Sequence, residues 1–300
     1  MYEQIAANKR KTFYIIALFV GLLFAVGAAF VFFLKGGVVG LVIVAIIVIV
    51  SSVVSYYNSD KVALAMSHAV PADPVQYARF HNLVEGLCIA SGLPKPRLYI
   101  VNDPAPNAFS TGRNPKHAAV AVTTGLLDKM NRVELEGVLA HELSHIRNYD
   151  VLVMTLAVTM VGITALLSDF FLRWMFWGGA RRSDNNDGGI IGLVFALFGF
   201  FLLIFAPIIA SLMQFAVSRR REYLADASGV QMTRYPPGLI SALEKLKDDP
   251  TSVHTASKAT AHLWIEEPLD KDTNKAHMRM NHLFDTHPPI DDRIKALEAM

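Results

Sequence analysis

Apolar residues in this chain gather in four long blocks rather than in the short periodic stripes of a soluble domain. Residues 13–34 carry no charge. As a helix, those 22 residues would span about 33 Å, which matches a hydrocarbon core of roughly 30 Å. Lys35, Gly36 and Gly37 form a tight turn, and residues 38–54 are then almost wholly aliphatic and β-branched. The pair predicts a membrane hairpin. Lys9, Arg10 and Lys11 precede the first block as they would precede a signal sequence. The length of that block and the second block close behind it argue against cleavage. A second pair covers residues 151–217. Residues 151–168 are uncharged, Asp169 and Arg173 interrupt before Trp174 and Trp177, and residues 178–189 are polar and Gly-rich. Residues 190–217 are apolar apart from Pro207 and Gln214. Two more spans with interfacial aromatic residues are expected, with a re-entrant hairpin as the rival because of the Asp169 and Arg173 break.

The blocks divide the chain into an N-terminal hairpin (1–57), a polar segment (58–150), a second hairpin (151–217) and a second polar segment (218–300). In the first polar segment, Phe80, Leu83, Val84 and Leu87 have helical spacing over residues 77–91, stopped by Gly92 and Pro94. Residues 97–101 read as a strand. Residues 107–111 and 117–123 read as a β-hairpin across Gly112, Arg113, Asn114 and Pro115. Asn131, Arg132, Val133 and Glu134 resemble a capping box that opens the next helix. The second polar segment reads as mostly helical, and there are no internal repeats.

Composition agrees with this division. Hydrophobic residues make up 53% and charged residues 18%, against about 25% charged in typical soluble chains, so some apolar surface must face something other than water. A net charge of +2 is too small for a nucleic-acid binder. Cys88 is the single cysteine, which excludes an intrachain disulfide; its apolar helical face predicts a core residue. Basic residues orient the spans. Lys9, Arg10, Lys11, Lys61, Arg219, Arg220 and Arg221 fall on one side, Lys35, Arg181 and Arg182 on the other. Both termini and both polar segments are therefore expected in the cytoplasm.

The chemistry sits at the edge of the third block, in His141-Glu142-Leu143-Ser144-His145. Positions four apart share a helix face, so His141 and His145 can offer imidazole nitrogens to one tetrahedral zinc. Glu142 is displaced around the helix, where it can serve as general base toward a water at the open metal position. A catalytic site needs a third protein ligand. Glu222, just past the fourth block, is the best candidate, with His287 and Asp226 as rivals. If residues 151–217 form a membrane hairpin, they return the chain to the side it left and bring Glu222 near the motif. Asp226, one turn on from Glu222, can hydrogen-bond the free ring nitrogen of a ligand histidine.

Taken together, "NAFSTGR", "AVAVTTGLL", "GVLAHELSHI", "SRRREYLADASG" and "THPPIDDRI", in this order between two apolar hairpins, resemble the HtpX-type membrane zinc metallopeptidases, relatives of the CAAX prenyl endopeptidases. The resemblance implies an α-helical integral membrane protein with four transmembrane helices in two hairpins. It also implies an α+β zincin-like (gluzincin) metallopeptidase domain whose small β-sheet lies beside the active-site helix. One Zn2+ per chain would be held by His141, His145 and Glu222, with Glu142 as base and Asp226 behind a ligand histidine. Asn107, Ala108 and Phe109 would lie on an edge strand where an extended substrate adds by main-chain pairing. His287 would stabilise an oxyanion and Arg293 would order the site. The implied function is cleavage of misfolded or surplus membrane proteins, or unfolded polypeptides, at the cytoplasmic face of a bacterial inner membrane. Membrane quality-control proteins would be its partners.

Three other functions are weighed against this one. An intramembrane-cleaving protease of the site-two type buries its motif inside a span, whereas Arg132, Glu134, Glu136, Arg147 and Asp150 surround this one. A prenyl-protein endopeptidase needs more spans than this chain supplies. A membrane scaffold or transporter subunit with a structural zinc would close the site with four protein ligands, often cysteines, and Cys88 is far from the motif.

Overall fold

In the computed structural model, residues 2–33, 35–155, 219–255, 260–266 and 288–300 are described. The expected second hairpin, beyond residue 155, lies outside these residues, as does His287. The first two apolar blocks form α1 (Tyr2–Phe33) and α2 (Gly37–Met66), joined by a turn in which Lys35 and Gly37 adopt φ of 55° and 58°. The helices meet through bare glycine backbone. A Cβ at Gly27 would fall 2.3 Å from a Val44 methyl, and one at Gly40 would fall 2.7 Å from a Val31 methyl. Such small-residue crossings let apolar helices approach closely without a hydrophobic driving force between them. Elsewhere Phe13, Leu18, Ile43, Ile47 and Val50 are exposed, and α2 is long and apolar enough to cross a membrane.

The apolar block ends at residue 54, but α2 continues without a break to Met66. Its last turns leave the apolar zone and enter the polar half of the protein. Ala63 and Leu64 are buried there against one face of a β-sheet, and Asp60 pairs with Arg97 at the start of one of its strands.

The sheet contains β1 (Val70–Pro71), β2 (Arg97–Val101), β3 (Ala108–Gly112) and β4 (Ala118–Thr123) in the order β1-β2-β4-β3. β1 runs antiparallel to β2, β2 parallel to β4, and β3 antiparallel to β4. The β3–β4 connection is tight. Gly112 has φ of 142°, and a Cβ there would sit 2.4 Å from the His117 carbonyl oxygen, so no other residue fits the turn. Side chains alternate across β4. Ala118, Val120 and Val122 join a core with Phe80, Leu135 and Leu139. Ala119 and Ala121 join Phe109, Val101, Trp264 and the end of α2 on the opposite face. The sheet is thus covered on both sides.

Helices cover the first face. α3 (Ala78–Ser91) ends at Gly92, whose φ of 70° supplies the left-handed C-cap. It carries Cys88, buried in the core, where desolvation pushes the thiol up to about 11. α4 (Thr124–Lys129) follows β4, and α5 (Arg132–Arg147) runs through the centre. After the second apolar pair come α6 (Arg219–Thr233), α7 (Pro236–Asp248) and α8 (Ile290–Glu298).

α5 starts with the capping box expected from sequence. Asn131 Oδ1 accepts from the Val133 and Glu134 N–H groups at 2.9 and 3.0 Å, and Glu134 Oε2 accepts from the Asn131 N–H at 2.8 Å. The same carboxylate reaches α7, accepting from Ser241 Oγ at 2.8 Å and Lys245 Nζ at 2.7 Å. Glu134 therefore closes the helix end and joins two helices. Glu134→Ala removes the reciprocal half of the capping box and both bonds to α7, a loss of about 1 kcal/mol. Thermal unfolding of the detergent-purified protein should show a lower midpoint, with metal content unchanged at low temperature.

Candidate metal centre

On α5, His141, Glu142 and His145 are all buried. His141 Nε2 and His145 Nε2 point to a common spot and lie 3.1 Å apart, their ring planes nearly perpendicular at 89°. Glu222 on α6 completes the group: its carboxylate oxygens lie 3.6 Å from His141 Nε2 and 3.7 Å from His145 Nε2. Around an ion with bonds of ~2.1 Å, tetrahedral ligand atoms sit roughly 3.4 Å apart, so the three spacings fit a single metal ion. Among the described residues this is the one group of His, Cys, Asp or Glu side chains drawn together tightly enough to hold one. Beside it, Glu142 Oε2 is buried and accepts no hydrogen bond, which leaves a carboxylate oxygen available for a water or substrate proton.

Close helix packing makes this possible. Glu222, Asp226 and Gly229 recur at helical spacing and face α5. A Cβ at Gly229 would stand 3.0 Å from the His141 amide nitrogen and 3.2 Å from the Ala140 carbonyl carbon. The neighbours are backbone atoms, so glycine sets how near α6 can come.

A second layer fixes His141. Its Nδ1 lies 2.8 Å from Asp226 Oδ1. An acceptor there puts a proton on Nδ1 and leaves the Nε2 lone pair for a metal. Arg293 on α8, fully buried, grips Asp226 with two hydrogen bonds, Nε to Oδ2 at 2.8 Å and Nη2 to Oδ1 at 2.6 Å. Burial raises the Asp226 carboxyl, yet Arg293 and then His141 override it and hold it at about 2. Burial likewise pulls the His141 imidazole down, but Asp226, helped by Glu222, outweighs burial and the opposing Arg293 and lifts it to about 9 in the metal-free site. A metal therefore binds at Nε2 by displacing a proton. The third donor of Arg293, Nη1, goes to the Ile265 carbonyl at 3.2 Å.

That last bond belongs to a feature absent from the sequence reading. Asn107, Ala108 and Phe109 do lie at the sheet margin, but the chain itself covers them. The Ile265 N–H donates to the Ala108 carbonyl at 3.0 Å, and Phe109 and Trp264 form an antiparallel bridge with their rings 4.7 Å apart. The Asn107 carboxamide takes both backbone groups of Glu266: Nδ2 donates to its carbonyl at 3.0 Å and Oδ1 lies 3.4 Å from its N–H. Gly112, farther along the same edge, donates to Thr155 Oγ1 at 3.0 Å.

Asp150 and Arg221 also escaped the sequence reading. Asp150 Oδ2 lies 3.4 Å from His145 Nδ1, and Asp150 Oδ1 lies 3.6 Å from Arg221 Nε. Arg221, counted from sequence as a topological charge, is buried, whereas Arg219 and Arg220 are exposed. The available signal was a lone acid at the edge of an apolar block, five residues past a ligand histidine. On an unbroken helix that offset would place it on another face.

The chain matches Peptidase family M48 over residues 74–300. A protein named Protease HtpX homolog from Caldanaerobacter subterraneus subsp. tengcongensis is 48% identical over 302 residues, covering 100% of this chain and 98% of that one. One of the same name from Streptococcus uberis is 43% identical over 302 residues, with both chains fully covered. Among solved structures, that of S. mikatae Ste24p superposes with a TM-score of 0.50 at 16% identity, covering 99% of this chain and 67% of that one, a likeness of fold.

Gly229→Val tests the packing. The added side chain meets α5 backbone, so overpacking should cost about 1–3 kcal/mol and carry Glu222 away from the histidines. Elemental analysis after dialysis should find substoichiometric metal in this variant and a full site in the wild type.

Proposed function

The chain belongs to peptidase family M48 and is a membrane metalloprotease; on that premise we propose that it is a zinc-dependent endopeptidase of a bacterial inner membrane. It cleaves misfolded or surplus membrane proteins at the cytoplasmic face. Its four spans form two hairpins, residues 13–34 with 38–54 and the pair within 151–217, with both termini in the cytoplasm. The observation that carries this reading is the convergence of His141, His145 and Glu222 beside the partnerless Glu142 oxygen.

Two imidazoles and a carboxylate form a donor set that suits zinc. Zinc held there supplies Lewis acidity, which polarises a peptide carbonyl and makes water reactive at neutral pH. Glu142 takes a proton from the attacking water as its oxygen bonds to the carbonyl carbon. It then delivers that proton to the amide nitrogen as the C–N bond breaks. Asp226 keeps the His141 Nδ1 proton in place, and Arg293 keeps Asp226 charged and fixed. His287 is assigned the oxyanion by family resemblance.

Substrate pairing with Asn107, Ala108 and Phe109 works by exchange on this reading. An arriving extended strand replaces Ile265 and Glu266 as the backbone partner of Ala108 and Asn107, because those groups are already taken.

Two measurements test the proposal. Purified full-length protein should contain ~1 zinc per chain and cut casein, and Glu142→Gln should keep the metal while losing activity by at least ~10²–10⁴-fold. A variant that retains zinc and cuts at the wild-type rate removes Glu142 from the reaction. Hydrogen exchange with a non-cleavable peptide hydroxamate should show the Ile265 amide losing protection as the peptide binds. If protection stays or rises, β3 is not where the substrate pairs.

A further inference from the structure

The His141 side of the site has a carboxylate and an arginine behind it, and the His145 side has the same arrangement in different residues. His145 Nδ1 faces Asp150 at 3.4 Å, and Asp150 faces Arg221 at 3.6 Å, with Asp150 fully buried and Arg221 nearly so. Nothing in the sequence pairing predicts this contact, because five residues on a continuous helix turn the side chain by about 140° away from His145. The backbone makes it possible. α5 stops at Asn148, Tyr149 adopts φ of 60°, and a new helix begins at Asp150. A left-handed tyrosine costs on the order of 1–2 kcal/mol, and such strain persists where the surroundings require it. Here it swings the Asp150 carboxylate back toward the ligand histidine.

The geometry points to Asp150 as the positioning residue of His145, with Arg221 holding Asp150 in place. A ligand histidine needs a partner on its second nitrogen to fix ring orientation and tautomer, and loss of that partner commonly weakens metal binding by about 10–100-fold. Asp226 does this for His141, and Asp150 does it for His145. The arginines differ in consequence. Arg293 comes from α8, but Asp150 and Arg221 stand at the two ends of the 151–217 run. Their ion pair therefore brings the two residues that flank that run together at the metal site, and the orientation of His145 depends on that contact.

This inference rests on the zinc assignment above, and the test separates the two. Zinc affinity of the full-length protein in detergent is measured by competition with a chromophoric chelator, and ligand geometry is read from the visible spectrum at saturating cobalt. Wild-type protein that takes up neither metal defeats the zinc assignment. Given a wild type that binds, Asp150→Asn should weaken zinc by about 10–100-fold and shift the cobalt bands, and the metal-free melting temperature should fall as well, because Arg221 stays buried without that carboxylate. Arg221→Gln should weaken zinc less, and Arg221→Lys should recover most of the loss. Should Asp150→Asn fail to fold, the Arg221 pair decides alone. Wild-type affinity and an unshifted spectrum in Asp150→Asn, or in Arg221→Gln where that pair decides, would overturn the assignment.

Discussion

At Gly229 and His141, α6 lies against α5 with backbone nearly touching backbone. Glu222 is a short side chain on one helix, and the histidines are on another. Only at this separation can its oxygens come within 3.6–3.7 Å of both Nε2 atoms. Interiors are close-packed and transmit strain, so the contact also sets where Asp226 meets Nδ1. The helix pair is in turn held from outside, by Glu134 bridging to α7 at one end and by Arg293 from α8 at the other.

The site concentrates charge in buried side chains. His141, Glu142, Glu222, Asp226, Asp150, Arg221 and Arg293 are all buried. Each charge taken out of water costs several kcal/mol, and pairing offsets that cost only with good geometry. Arg293 meets the condition with a two-pronged grip on Asp226 and a third bond to Ile265. Asp150 and Arg221 pair across 3.6 Å. Each ligand histidine thus has a carboxylate and an arginine behind it, and one of these pairs flanks the second apolar pair.

The first apolar pair is coupled to the polar half more directly. Because α2 runs on to Met66, the helix that carries the exposed aliphatic surface also supplies Ala63 and Leu64 to the core behind the sheet. Phe109 and Trp264 belong to that same core. A shift of α2 would press on the strand and the chain segment lining the site, not on a flexible linker.

Whatever depends on spacing along the chain was legible in the sequence. His141 and His145 share a face because four residues make one helical turn, the capping box follows from Asn131 and Glu134 three apart, and α1 and α2 follow from uninterrupted apolar runs. Glu222 and Asp226 were legible as a pair one turn apart. Their place opposite the histidines rested on the inferred return of the chain, with His287 and Asp226 left as rivals for the third ligand. Three things only the tertiary structure decided: the parallel pairing of β2 with β4, the cover that Trp264, Ile265 and Glu266 lay over β3, and the turn of Asp150 toward His145. In each, the partners are joined by backbone hydrogen bonds or by a reversed φ. These interactions join segments distant in the chain or depend on one reversed backbone angle, and regular spacing along the sequence reveals neither.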